Sequence, residues 1–258
     1  MKINKSNFKD WKSYYLHYQE TLASSYYIPL LQDNHIDLNN KKILEIGCGN
    51  GGFIKAFSKY SQQCTGFDIK NLDWESSDVK YFNLNIFDDD FENKIPGKFD
   101  IIIVRDVIEH IDNNMNDQLF EKIEMLSNQG ATILITFPPF YSPFGLHQQA
   151  LLGGLCRYIP YLGLIPKRIM NMIFCCRKNE NIDEMLSLYD SGMSIRSFYQ
   201  LIDKFSYQII KQKFFTVRPS HELRYGLKTR ESRFLHKIPI LREFLITGTA
   251  FIVNKKGS

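Results

Sequence analysis

The stretch ILEIGCGNGGF, residues 43–53, places an acid, Glu45, inside an apolar run and follows it with Gly47, Gly49, Gly51 and Gly52. Such a loop lets a ligand approach backbone amides closely, and it can turn where bulkier residues cannot. Cys48 and Asn50 alternate with the glycines on the same loop. Asp68 ends the next apolar run, where a carboxylate can accept both hydrogen bonds of a ribose diol or, alternatively, cap whatever follows. Farther on, Glu109 and His110 are adjacent, and His147 and His221 lie in long segments after apolar runs. A histidine titrates where a hydroxyl proton must be accepted or relayed. Arg218, Glu222 and Arg224 could hold a phosphate or carboxylate, or form surface ion pairs of little value.

The elements that must position these residues read as an alternation. Apolar, β-branched runs occur at 41–46, 63–68, 79–85, 99–104 and 131–137, with helical or loop segments between them. Such alternation implies crossovers and a parallel sheet covered on both faces. The connections KNLDWESSD and IFDDDFENKIPGK are too short for full crossover helices, so a single turn or a loop is expected. An aromatic segment before the first strand reads as a helix until Pro29, and Tyr14, Tyr15 and Tyr18 could close over a ligand or simply pack on the sheet. After residue 137 the rhythm breaks. The prolines of 138–190 suggest short helices in a cap, after which Ser194 caps an amphipathic helix and two further strands close the domain. The expected fold is a doubly wound, seven-stranded α/β sheet, mostly parallel with an antiparallel C-terminal strand. Residues 1–137 and 191–258 form the main domain, residues 1–40 its helical lid, and residues 138–190 the cap.

Composition narrows the classes. A chain of 258 residues with 44% hydrophobic content supports one main domain with elaborations, and a net charge of +4 is too small for a nucleic-acid footprint. Five cysteines, Cys48, Cys64, Cys156, Cys175 and Cys176, without a C-x-x-C pair indicate neither a disulfide framework nor a zinc site, and no metal is expected. A cytoplasmic setting is the simplest, as the first residues lack an apolar signal core. The run from Ala131 to Cys156 has no acid, Lys or Arg, but Pro138, Pro139 and Pro143 break it as a membrane span.

Two ligand patterns fit the loop. Gly47, Gly49 and Gly52 satisfy the dinucleotide spacing G-x-G-x-x-G, whereas Glu45, Gly47, Gly49 and Gly51 satisfy the acid-led spacing of S-adenosylmethionine (SAM) sites. The order of ILEIGCGNGG, GFDI, FDIIIVRDVIEHI and QGATILITFPP resembles class I SAM-dependent methyltransferases, in their quinone and small-molecule O-methyltransferase branch. The resemblance covers most of 40–137 and 194–254 and leaves out the cap. It implies SAM as cofactor and S-adenosylhomocysteine as product. Glu45, Gly47, Cys48, Gly49, Asn50 and Gly51 would meet the methionine end, with Asp68 and Ile69 at the ribose and Asn85 and Ile86 at the adenine. The backbone of Arg105 would contact the amino group, and Tyr15 would act as a lid. His110 would belong to the floor of the transfer site, a position that in some relatives assists a base or a metal.

In an open parallel sheet, ligands bind outside the carboxyl ends of the strands. The cap leaves the fifth strand there and a second insert leaves the sixth, so both should wall the acceptor pocket. His147 is favoured as the base because it follows the fifth strand closely. The apolar cap with flanking basic residues could also rest on a membrane surface and reach a lipid-linked acceptor. The expected activity is O-methylation of a small-molecule, glycan or lipid-linked hydroxyl. The alternatives are a catalytically silent SAM-binding regulator and a nicotinamide-dependent oxidoreductase.

Overall fold

The structure, a computed structural model, describes residues 2–71, 78–95, 97–175 and 179–255. Cys176, the end of the tail expected to fray and most of KNLDWESSD lie outside the described residues. The strands are β1 (Ile43–Ile46), β2 (Cys64–Asp68), β3 (Val79–Asn83), β4 (Phe99–Arg105), β5 (Ser127–Phe137), β6 (Tyr207–Val217), β7 (Arg230–Glu231) and β8 (Gly248–Lys255). They form one sheet in the order β3-β2-β1-β4-β5-β8-β6-β7. The first five are mutually parallel, and β8 runs antiparallel between β5 and β6.

Among the described residues the sheet thus has eight strands where seven were expected. The extra strand is two residues long and pairs with Phe215 and Val217 at the edge of β6. Its sequence, Arg230–Glu231, has no apolar alternation, so nothing in the periodicity marks it.

The side chains of β1 and β4 are almost entirely buried, as strands covered on both faces must be. Helices Asn116–Leu126 and Ile195–Lys204 cover one face, and Trp11–Leu22 and Gly52–Phe57 contribute to the core on the other. Ser194 accepts the amide of Ser197 at 3.0 Å, capping its helix as its type suggests. Contrary to expectation, Pro29 does not end the N-terminal helix. A π-helical turn at Ala23–Tyr27 leads into Ile28–Gln32, with Pro29 in the first turn of that segment. Among the described residues, the connection after β3 contains only the one-turn helix Phe91–Lys94.

Residues 140–188 hold a separate apolar cluster that includes Phe140, Leu146, Met170, Met185 and Leu188. At its base the Phe140 amide donates to the Met193 carbonyl at 2.9 Å, closing the segment where it leaves and rejoins the sheet. Among the described residues no helix is long and apolar enough to cross a membrane.

Candidate active site

The loop after β1 turns through positive φ at Gly47, Gly49 and Gly51. It is tied to β2 by Asp68, whose Oδ2 accepts the Gly49 amide at 2.9 Å while Oδ1 accepts that of Lys70 at 2.9 Å. Each carboxylate oxygen has a further lone pair, so Asp68 can clamp the loop and still receive a diol. Gly51 has φ +79°, and a Cβ there would lie 2.5 Å from the Tyr81 ring. A Cβ on Gly52 would come within 2.5 Å of the Leu16 carbonyl oxygen, so helix Trp11–Leu22 can sit against the loop only because this residue has no side chain.

Glu45 is fully buried beneath the loop. Its Oε2 accepts the Ile54 amide at 3.0 Å, and Oε1 lies 3.6 Å from Arg105 Nε. Burial lifts the Glu45 carboxyl to about 8 although Arg105 opposes the shift. Arg105 stays a guanidinium: burial opposes its charge, but Glu45, when ionised, and the carboxylate of Asp106 outweigh that, and it also stands 4.7 Å over the Phe53 ring. The Arg105 side chain therefore neither reaches bulk solvent nor stands free for a substrate.

A cavity of about 880 Å³ opens over this loop. It brings together Gly47, Gly49, Asn50, Asp68, Ile69, Asn85, Ile86, Tyr15 and His110, with Trp11, Lys12, Phe87 and Val107 completing the wall. Ile69 is 67% exposed, an apolar side chain held open on the cavity side of the β2 terminus. Asn85 is pinned by accepting the Phe87 amide at 3.1 Å. Four residues expected at the cofactor do not line this space, and one of them, Arg105, lines a neighbouring cavity instead. Glu45 and Cys48 are buried behind the loop, and Gly51 packs on Tyr81, so all three shape the cradle from behind. Tyr14 and Tyr18 are core residues, leaving Tyr15 as the tyrosine of this helix on the large cavity.

A second cavity of about 280 Å³ adjoins the first and shares Tyr15, Gly47, Gly49, Asp106 and His110 with it. Its other walls include Ser142, Phe144 and His147 from the segment after β5, Arg218, His221 and Arg224 from the segment after β6, and Arg105. Asp106 is central to this second cavity. It leaves β4 at φ 51°, accepts from Thr136 Oγ1 at 3.1 Å and from Arg218 Nη2 at 3.3 Å, and lies 3.6 Å from Arg105. Burial would protonate it, but Arg218 and Arg105 hold its carboxyl below the usual range. Arg224 stacks over Tyr18 at 4.6 Å.

His110 and His147 meet edge to face, ring centroids 5.1 Å apart. The exposed surface of His110 faces the two cavities. Burial depresses its pKa, and burial together with His110 and Arg218 lowers that of His147 to about 3. Burial and Arg218 likewise bring His221 to about 4. At neutral pH these imidazoles are uncharged and offer lone pairs. Glu109 is 2% exposed and neither carboxyl oxygen has a hydrogen-bond partner among the described residues.

An open parallel sheet with an antiparallel hairpin at one edge, a glycine loop after β1, a carboxylate closing β2 and a second pocket across His110 together define a class I SAM-dependent methyltransferase. The chain belongs to the methyltransferase domain family, whose sequence model matches residues 15–169. Ubiquinone biosynthesis O-methyltransferase of Rickettsia canadensis is 24% identical over 192 residues, covering 72% of this chain and 77% of that protein. A shorter match, 34% identical over 79 residues, spans 29% of this chain and only 40% of a Methanocaldococcus jannaschii protein provisionally described as a protein N5-glutamine methyltransferase. Among solved structures, a SAM-dependent methyltransferase of Archaeoglobus fulgidus superposes with a TM-score of 0.54 at 14% identity, over 94% of this chain and all of that one. Magnesium protoporphyrin IX methyltransferase of Synechocystis PCC 6803, solved with S-adenosylhomocysteine, gives 0.51 at 12% identity over 99% and 89% of the two chains. The cofactor is SAM, and the nicotinamide alternative is set aside.

Proposed function

We propose that the protein transfers the methyl group of SAM to a hydroxyl oxygen of a small-molecule, glycan or lipid-linked acceptor that also carries an anionic group. The observation that carries this reading is the shared wall of the two cavities. A donor seated in the larger one, with its ribose on Asp68, would present its methyl group past Asp106 and His110 into the smaller one. Transfer from a sulfonium needs alignment above all, and a hydroxyl acceptor must also lose its proton. His110 and His147 meet at that point, their ring centroids 5.1 Å apart. The Rickettsia relative is by its name an O-methyltransferase, which favours oxygen.

The charge of the acceptor pocket supports the anion. Arg218 and Arg224 face it beside one ionised carboxylate, that of Asp106, which Arg105 also pairs. The cap supports a lipid-linked acceptor: helix Lys167–Phe174 buries Met170 and Phe174 but exposes Ile169, Met172 and Ile173, and Leu155 is 84% exposed next to the Arg157 region. Radiolabelled SAM offered with hydroxy compounds that bear or lack a carboxylate, a phosphate or an acyl tail tests the reading. Label in a methyl ether, favoured by the anionic group, is expected. Label confined to nitrogen, or no transfer to any hydroxyl, would overturn it.

A further inference from the structure

We propose that Gln19 is a donor-binding residue: its side-chain carbonyl, together with the Asp106 carboxylate, accepts hydrogen bonds from the α-ammonium group of SAM. The inference concerns the donor. It rests on the seating given above, with the ribose on Asp68, and not on the nature of the acceptor.

Gln19 lies on helix Trp11–Leu22, the helix that carries Tyr15, and shares its buried face with Tyr14, Tyr18 and Leu22. It is 3% exposed, and its Oε1 is buried without a hydrogen-bond partner among the described residues. An amide oxygen shut away from water and left without a donor is costly. This one is not lost in the core, because Gln19 lines the smaller cavity together with Gly47 and Gly49. Its place at the cofactor loop is fixed by packing: a Cβ on Gly52 would come within 2.9 Å of Gln19 Cβ.

Asp106 is the second acceptor. It lines both cavities, as Gly47 and Gly49 do. Its Oδ1 takes one bond from Thr136 and its Oδ2 one from Arg218, and each oxygen has a further lone pair. An amino-acid head seated over Gly47 and Gly49 therefore meets an amide oxygen that has no donor and a carboxylate with lone pairs to spare. An α-ammonium brings three N–H donors and is the complement of both. An α-carboxylate would set oxygen against oxygen at each. The head is a zwitterion, so it adds no net charge to a wall that already holds Arg105, Arg218 and Arg224.

Calorimetry on the full chain tests the assignment with S-adenosylhomocysteine and two analogues, one with hydrogen in place of the α-amino group, the other with hydrogen in place of the α-carboxyl group. The wild type should prefer S-adenosylhomocysteine over the deaminated analogue by about tenfold or more, the scale of a hydrogen bond to a charged group. Gln19→Met, which keeps the volume but not the amide, and Asp106→Asn should each cut that preference by about threefold or more. Affinity for the deaminated analogue should stay unchanged in both, which also shows that the variants fold. Should Gln19→Met bind none of the three ligands, Gln19→Ala repeats the measurement with the same criteria. A wild type that binds the deaminated analogue as tightly as S-adenosylhomocysteine would overturn the site, and a full preference surviving in either variant would overturn the part given to that residue. A preference lost in Gln19→Met against the decarboxylated analogue instead would put Gln19 at the carboxylate and refute the ammonium assignment. Asp68→Ala keeps the two readings apart. It should weaken all three ligands alike, and unchanged affinities there beside a reduced preference in Gln19→Met would overturn the ribose seating while keeping the amino-group site.

Discussion

Glu45→Gln isolates the acid buried under the cofactor loop. In the folded protein the Glu45 carboxyl titrates near 8, against 4.5 for an unhindered glutamate. The folded state therefore holds a proton that the unfolded chain has already released between those values. Stability from this group is fully present below pH 4.5 and is lost as pH rises toward 8, at about 1.4 kcal/mol per pH unit. Glutamine reproduces the protonated acid: its carbonyl can still accept the Ile54 amide, which now lies 3.0 Å from Oε2, and it has no proton to lose. Urea unfolding of both proteins at pH 5.5 and 7.5 is the assay, with m-values checked for constancy. The wild type should lose roughly 2–3 kcal/mol relative to the variant across that interval. Taking the difference cancels His147 and His221, whose depressed pKa values make stability rise with pH below their unfolded value. Glu45→Ala serves as the contrast, since it strands the Ile54 amide and should cost about 1–3 kcal/mol even at pH 5.5. Parallel pH curves for wild type and Glu45→Gln would refute the assignment of a protonated, neutral Glu45.

Asp68→Ala removes the carboxylate that clamps Gly49 and lines the larger cavity. Affinity for S-adenosylhomocysteine, read by calorimetry, should fall by about 1.5–3 kcal/mol, and an unchanged constant would remove Asp68 from the site. Gly52→Ala puts a methyl group against the Leu16 carbonyl and should cost about 1–3 kcal/mol in unfolding experiments together with a measurable loss of cofactor affinity. Arg224→Met keeps an apolar body over Tyr18 but removes the charge, so KM for an anionic acceptor should rise about tenfold or more while kcat changes little.

Much of this arrangement was legible in the sequence because it depends on local signals. Apolar periodicity marks seven of the eight strands, and Asp68 closes β2 within the same motif that names it. The rest depends on contacts between distant segments. Asp106 and Arg218 meet across 112 residues of sequence, and no spacing announces that the acid after β4 will be neutralised by an arginine after β6. His147 and His110 were each noted singly, but their contact arises from the path of the 138–147 segment back over the sheet edge. The isolation of Glu109 is legible only once burial is known. Pro29 misled for a different reason: a proline breaks a helix in its interior, whereas the π-helical turn restarts the helix and makes Pro29 a first-turn residue.

The contact between Gly52 and Leu16 has a consequence for how the donor is held. Gly52 is the third glycine of the dinucleotide spacing, yet here its missing side chain serves the helix that carries Trp11 and Tyr15. The helix that packs on Gly52 thus walls both pockets, since its Tyr15 borders the larger and the smaller cavity alike.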